Sequence, residues 1–322
     1  MWGTYAERLF GSGGGDCGFD PGTACGARMK VELGKPLPAP VAPVGKPVDP
    51  AKLQLPVAAP VRSFQDWCLV KNKQADVRAT VAGVFRLVGT KRCAEAAERL
   101  GKLERLDLSG LGVADLRPLA GLKGVKVLVL DRNPIRDLSP IANWNSLELL
   151  SVKGSSLKTL TGVAGLTNLK ALAIDGSFVR DLEAVAGLAS LESFSASGCR
   201  VQSVAPLAGL KNLRVLDLGH NQVEDLTPIA LSQSLEEVYL NDNQVRDVRA
   251  LGGVIALRIL NLNNNKIKDF KALGSLGGLR RLEILGMPME TNPCPILAER
   301  AVCLYHKVPS ESTEKPVTKP AK

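Results

Sequence analysis

Histidine is nearly absent, with two residues in 322, and aromatics make up only 4% of the chain. That scarcity leaves little room for a histidine-based metal site or a Ser-His-Asp triad. No apolar run reaches the roughly 18 residues of a membrane-spanning helix. Residues 1–30 hold no apolar stretch of roughly 7–15 residues that would serve as a signal peptide. Leu9-Phe10 is followed at once by Gly11-Ser12-Gly13-Gly14-Gly15. Three readings stay open: a start beyond this sequence, unconventional export, or a cytoplasmic protein with reduced thiols. A basic stripe on the bulk of the chain is also missing. The net charge is +9, but residues 103–290 carry 21 basic and 20 acidic side chains. Residues 62–102 carry nine basic and four acidic. A nucleic-acid binder would concentrate cations on its working surface, so nucleic acid is not an expected partner. The basic 62–102 segment reads as a solvated helical face, with contact to an acidic surface as its alternative.

What is abundant is leucine: 49 residues, of which 39 lie between positions 103 and 290. Proline supplies 8 of the 25 residues from 36 to 60. The chain divides into a Gly/Pro-rich leader over 1–61, expected to be disordered and extended, and a helical N-terminal cap over 62–102. A repeat body over 103–290, a C-terminal cap over 291–308 and a disordered tail over 309–322 follow. In the helical segment, Ser63 and Asp66 predict a capped start. Val77, Val81, Val84, Phe85 and Val88 recur at helical spacing, and Thr90 is the expected cap of a last helix through Ala94, Ala97 and Leu100.

The seven cysteines fall into local pairs, Cys17 with Cys25, Cys68 with Cys93 and Cys294 with Cys303, leaving Cys199 alone. This pattern points to disulfides and an oxidising, extracytoplasmic compartment. It fits no zinc spacing such as C-x2-C.

From Leu103 the sequence repeats every 22 residues, with units starting at Leu103, Val125, Leu147, Leu169, Leu191, Leu213, Leu235, Leu257 and Leu279. Eight units are full and the ninth is partial. Each reads L-x-x-L-x-L-x-x-N-x-V-x-D-L-x-P-L-A. The alternation in L-x-x-L-x-L predicts a short strand with one buried face. The proline-bearing D-L-x-P-L predicts a 3₁₀ or single-turn element opposite it. One coil cannot bury its leucines alone, whereas stacked coils bury a continuous column. Asn133, Asn221, Asn243 and Asn265 take the ninth position, where an amide can bond backbone inside the turn. Ser155, Ser177 and Cys199 replace it in the central units, so Cys199 is a buried turn residue without a disulfide partner. Gly154, Gly176 and Gly198 beside them raise the alternative of a looser middle.

This unit resembles the 22-residue leucine-rich repeat of the bacterial internalin-like class, also found in repeat subunits that regulate protein phosphatase 1. Phe64-Gln65-Asp66-Trp67-Cys68 with Cys93, and Asn292-Pro293-Cys294 with Cys303, resemble the Cys-bearing caps of such proteins. The resemblance implies an α/β leucine-rich repeat solenoid, a right-handed curved stack. Its concave face is a parallel β-sheet, its convex side carries short 3₁₀ elements, and it binds another protein through the concave face. No catalytic residues are implied.

The third, fifth, seventh and eighth positions of each unit should face the concave side. They give Val127, Leu149, Ala171, Val215 and Ile259, then Val129, Asp217, Tyr239 and Asn261. The seventh adds Asp131, Lys153, Asp175, Asn241 and Asn263, and the eighth Arg132, His220 and Asp242. Val127, Val129, Leu149 and Ala171 are expected to form one exposed apolar stripe, and Val215, Tyr239 and Ile259 another. Ser193, Ser195 and Ser197 form a saddle between them. Exposed apolar residues rimmed by charge mark binding surfaces, and Tyr239, Arg132, Leu149 and Ile259 are the expected anchors. His220, Asp217 and Asp242 read as polar residues on a solvated sheet, not as a general base or metal site. The chain therefore reads as a non-catalytic, monomeric recognition protein with no cofactor or metal, at the bacterial cell surface or envelope. The alternatives are an envelope spacer with the leader as stalk, and a cytoplasmic regulatory or scaffold subunit.

Overall fold

The computed structural model describes residues 62–289, Cys294 and 302–307. Expectations for the leader, for Cys17 and Cys25, for the tail and for most of the C-terminal cap lie outside these residues.

Three helices precede the repeats: α1 (Phe64–Leu69), α2 (Ala75–Val88) and α3 (Cys93–Gly101). Ser63 caps α1, its hydroxyl accepting from the Asp66 amide at 3.2 Å while the Asp66 carboxylate accepts from the Ser63 amide at 2.9 Å. This reciprocal pair satisfies two amides that a helix start leaves orphaned. On α2, Val77, Val81, Val84 and Val88 fall on one buried face. Gly89 ends the helix in the left-handed region, at φ 68°. The start of α3 differs from expectation, because Arg92 and not Thr90 takes the N-cap position. Thr90 Oγ1 lies two residues earlier, accepting from the Arg92 amide at 3.3 Å and donating to Glu95 at 3.0 Å. A disulfide joins Cys68 on α1 to Cys93 on α3. Buried Thr80 docks the helices on the first coil, donating to the Asp115 carbonyl at 2.8 Å.

Nine strands then follow at the repeat spacing: β1 (Arg105–Asp107), β2 (Val127–Val129), β3 (Leu149–Ser151), β4 (Ala171–Ala173), β5 (Ser193–Ser195), β6 (Val215–Asp217), β7 (Glu237–Tyr239), β8 (Ile259–Asn261) and β9 (Arg281–Met289). They pair in parallel in chain order, each residue opposite the one 22 positions on, as in Leu106 with Leu128. Rows about 4.8 Å apart put same-position side chains in contact, so the column self-buries. The fourth-position residues from Leu106 to Leu282 are all buried in one core that runs the length of the stack and includes the helices.

On the opposite side of each coil lies a short 3₁₀ turn, the first being Arg117–Leu119. Pro118, Pro140, Pro206 and Pro228 sit near the start of theirs, where proline's missing N–H costs nothing. The aspartate before the turn holds its entry. Asp137, Asp181 and Asp225 each accept from the amide two residues ahead at 2.8 Å. After β9 a tenth strand, β10 (Val302–Lys307), extends the sheet in parallel, a strand not expected from the repeat. Its physical basis is alternation: Val302 and Leu304 are exposed, while Cys303 and Tyr305 pack against the core. Cys303 is disulfide-bonded to Cys294.

Candidate protein-interaction face

Because side chains alternate along a strand, burying the fourth position turns the third and fifth to the outer face of the sheet. The eighth position follows the strand and takes the left-handed region in coil after coil. Gly154, Gly176 and Gly198 have φ of 61–66°, while Arg132, His220, Asp242 and Asn264 have φ of 55–56°. The three glycines therefore sit at a turn that the other coils make as well. The turn sets Arg132, His220, Asp242 and Asn264 along the edge where the strands end.

The first apolar stripe is not exposed as expected. Val129, Leu149 and Ala171 are buried, and with half-buried Val127 they form an apolar cluster separate from the main core. Close row spacing lets one column's side chains shut against each other. Next to them Asp131 accepts from Ser151 Oγ at 2.6 Å and from the Lys153 amide at 2.9 Å. Asp175 repeats this two coils on, accepting from the Ser195 hydroxyl and, at 3.0 Å, from the Ser197 amide. These aspartates reach across the small serines and help to cover them. Lys153 Nζ lies 3.5 Å from the Asp175 carboxylate. Burial pushes the Asp175 carboxyl above its ordinary range, with Lys153 and the hydrogen bonds opposing.

The serine saddle is a second correction. Ser193 and Ser195 are 0% exposed, and Ser193 Oγ has no hydrogen-bond partner. Val215, expected on the second exposed stripe, and Asp217, expected on the concave face, are buried as well. Asp217 turns to accept from the Gly219 amide at 2.9 Å.

The face opens toward the C-terminal rows. Glu237, Tyr239, Asn241, Ile259, Asn261, Asn263 and Glu283 are all partly exposed on β7 to β9 and the turns after β7 and β8. Tyr239 donates its hydroxyl to Glu237 at 2.9 Å. Burial and then the Glu237 carboxylate raise the phenol above its ordinary range. Glu283 collects Asn261 at 2.9 Å, Asn263 at 3.2 Å and Arg281 at 2.6 Å. Along the edge, His220 Nδ1 is 3.3 Å from Asp242, which also accepts from Asn264 at 2.7 Å and Asn241 at 2.9 Å. Among the described residues no group of three or more His, Cys, Asp or Glu is placed to hold a metal ion.

One feature of this surface escaped the sequence reading. The second position alternates in sign down the stack: Glu104, Lys126, Glu148, Lys170, Glu192, Arg214, Glu236, then Arg258 and Arg280. Lys126 pairs with Glu104 at 3.0 Å, Lys170 with Glu148 at 2.8 Å, and Glu236 lies 2.5 Å from Arg214 and 3.7 Å from Arg258. The signal lies in the sequence as the charge of position two along the repeat.

Comparison with known proteins agrees with the coil geometry. A family model described as Leucine Rich repeats (2 copies) matches residues 189–231 and 233–275. Internalin C2 from Listeria monocytogenes is 29% identical, with a TM-score of 0.59 over 64% of this chain and 92% of that one. Internalin InlF from the same organism is 19% identical, with a TM-score of 0.36 over 73% and 90%. A TLR13–ssRNA13 complex is 21% identical at a TM-score of 0.50, over 59% of this chain and 30% of TLR13, a likeness of fold alone. Curated proteins include no match. The chain is a leucine-rich repeat solenoid similar to internalin C2, and its repeats support a protein-interaction role in general terms. Solenoids of this type are typically non-enzymatic. Among the described residues no helix is long and apolar enough to cross a membrane.

Proposed function

We propose that this chain is a non-catalytic recognition protein that holds a protein partner on its outer sheet face, chiefly on the open rows β7 to β9. The observation that carries this is the grouping of partly exposed Tyr239 and Ile259 with Asn241, Asn261 and Asn263 on adjoining rows of the sheet. An aromatic anchor ringed by amides is the composition from which interface energy comes, and a preformed face orders nothing on binding. Arg132 adds an exposed cation at the other end. Leu149, being buried, is no longer an anchor in this reading. The disulfides at Cys68–Cys93 and Cys294–Cys303 support work outside the cytoplasm, at a bacterial surface or envelope, over a cytoplasmic regulatory role. The protein acts as a monomer in this account. Changing Tyr239→Glu together with Ile259→Glu should abolish partner capture while the thermal melt stays within a few degrees of the parent. Retained capture by that double variant would remove the proposal.

A further inference from the structure

The basic surplus of the helical segment has no part in the face just described. Where α2 and α3 meet β1, a cleft of about 440 Å³ opens, a size within the roughly 300–1,000 Å³ of ligand sites. Leu87, Val88 and Leu103 form its apolar lining, and Arg99, Lys102, Arg105 and Asp107 its charged rim. The cations are not equally engaged. Arg99 holds Glu95 and the Val88 carbonyl, at 2.6 Å and 2.5 Å. Lys102 holds Glu98 at 2.6 Å. Arg105 lies 3.9 Å from Asp107, and its side chain is 56% exposed. A loosely held guanidinium beside an apolar lining, next to a helical segment with nine basic and four acidic residues, attracts a carboxylate carried next to an apolar side chain.

We propose that this cleft anchors an acidic, apolar segment of a protein partner. One leucine-like side chain packs on Leu87 and Leu103, and a neighbouring Asp or Glu carboxylate reaches Arg105. The proposal rests on the reading that the chain binds protein, but it concerns a second place on the molecule. Its test needs no natural partner, so its failure leaves the sheet face standing, and failure of the sheet face leaves the cleft standing.

The full chain, methyl-labelled at leucine and valine, is titrated with a blocked peptide of alternating leucine and glutamate and with its glutamine counterpart. The glutamate peptide is expected to move the Leu87, Val88 and Leu103 methyl resonances and to bind at least tenfold tighter than the glutamine peptide. Arg105→Glu should weaken it at least tenfold and Arg105→Lys should largely keep it. If Arg105→Glu disturbs the spectrum at large, Lys102→Glu, at a side chain 73% exposed, gives the same comparison. Equal binding of the two peptides, indifference to charge reversal, or shifts confined to other methyls would overturn the proposal.

Discussion

At the residue scale, the ninth position decides how well a coil is closed. Asn243 accepts from the Val223 amide at 2.8 Å and donates to the carbonyls of Leu218, Leu240 and Asn241 at 2.8, 3.1 and 3.2 Å. One buried amide thereby joins two rows. Ser155, at the same position, is buried with its hydroxyl unpartnered. Removing a partner strands buried groups, whereas removing an unpartnered group does not. Asn243→Ala should therefore lower the unfolding free energy by about 3 kcal/mol or more, and Ser155→Ala should change it by less than about 0.5 kcal/mol. Urea denaturation of both variants checks the contrast. Cys199 shows a third solution. Its thiol lies 3.4 Å from the Ile174 carbonyl and 3.2 Å from Ser177 Oγ, and burial pushes its pKa up to about 11. The folded chain thus keeps a proton that the unfolded chain releases near pH 9. Stability from this group is full below pH 9 and is lost as pH rises toward 11, by about 2–3 kcal/mol. Cys199→Ala should be spared that loss in melts taken across the same range.

At the element scale, the repeat period made the strands and 3₁₀ turns legible, because 22-residue spacing fixes both which residue is buried and which row it meets. The Thr90 cap was misplaced because a side chain that bonds two residues into a turn looks, in sequence, like one that starts a helix. β10 was missed because it breaks the repeat, and only the alternation of Val302 to Tyr305 betrays it. The charge alternation at position two shows a different limit: its partners are 22 residues apart, outside any helix or hairpin rule. Exposed pairs of this kind are worth less than about 1 kcal/mol each, so they tune the stack and do not make it. The helices are a stronger element. The Cys68–Cys93 bond spans 25 positions and closes the segment that shields the first coil. Replacing both cysteines with alanine should cost about 3 kcal/mol by urea denaturation, and an unchanged midpoint would deny the bond any part in stability.

At the scale of the whole molecule, the outer sheet face is a surface of unequal rows. Its direction was legible from strand alternation, since the third and fifth positions do lie opposite the core. Exposure along it was not legible, because it depends on how neighbours close over small residues. Asp131 over Ser151 and Asp175 over Ser195 are contacts between coils, and no single repeat contains them. Burial thus moved the candidate surface away from Leu149 and Val215 and toward Tyr239, Ile259 and the asparagines beside them.

The claim that a partner rests on those rows is tested most directly by photo-crosslinking in the native setting. A benzophenone side chain is placed singly at Tyr239, Ile259 and Asn261, and at Lys158 and Lys271 away from the sheet. The account predicts one crosslinked partner shared by the three sheet positions and none from the other two. Crosslinks from Lys158 or Lys271 with silence at Tyr239, Ile259 and Asn261 would contradict it.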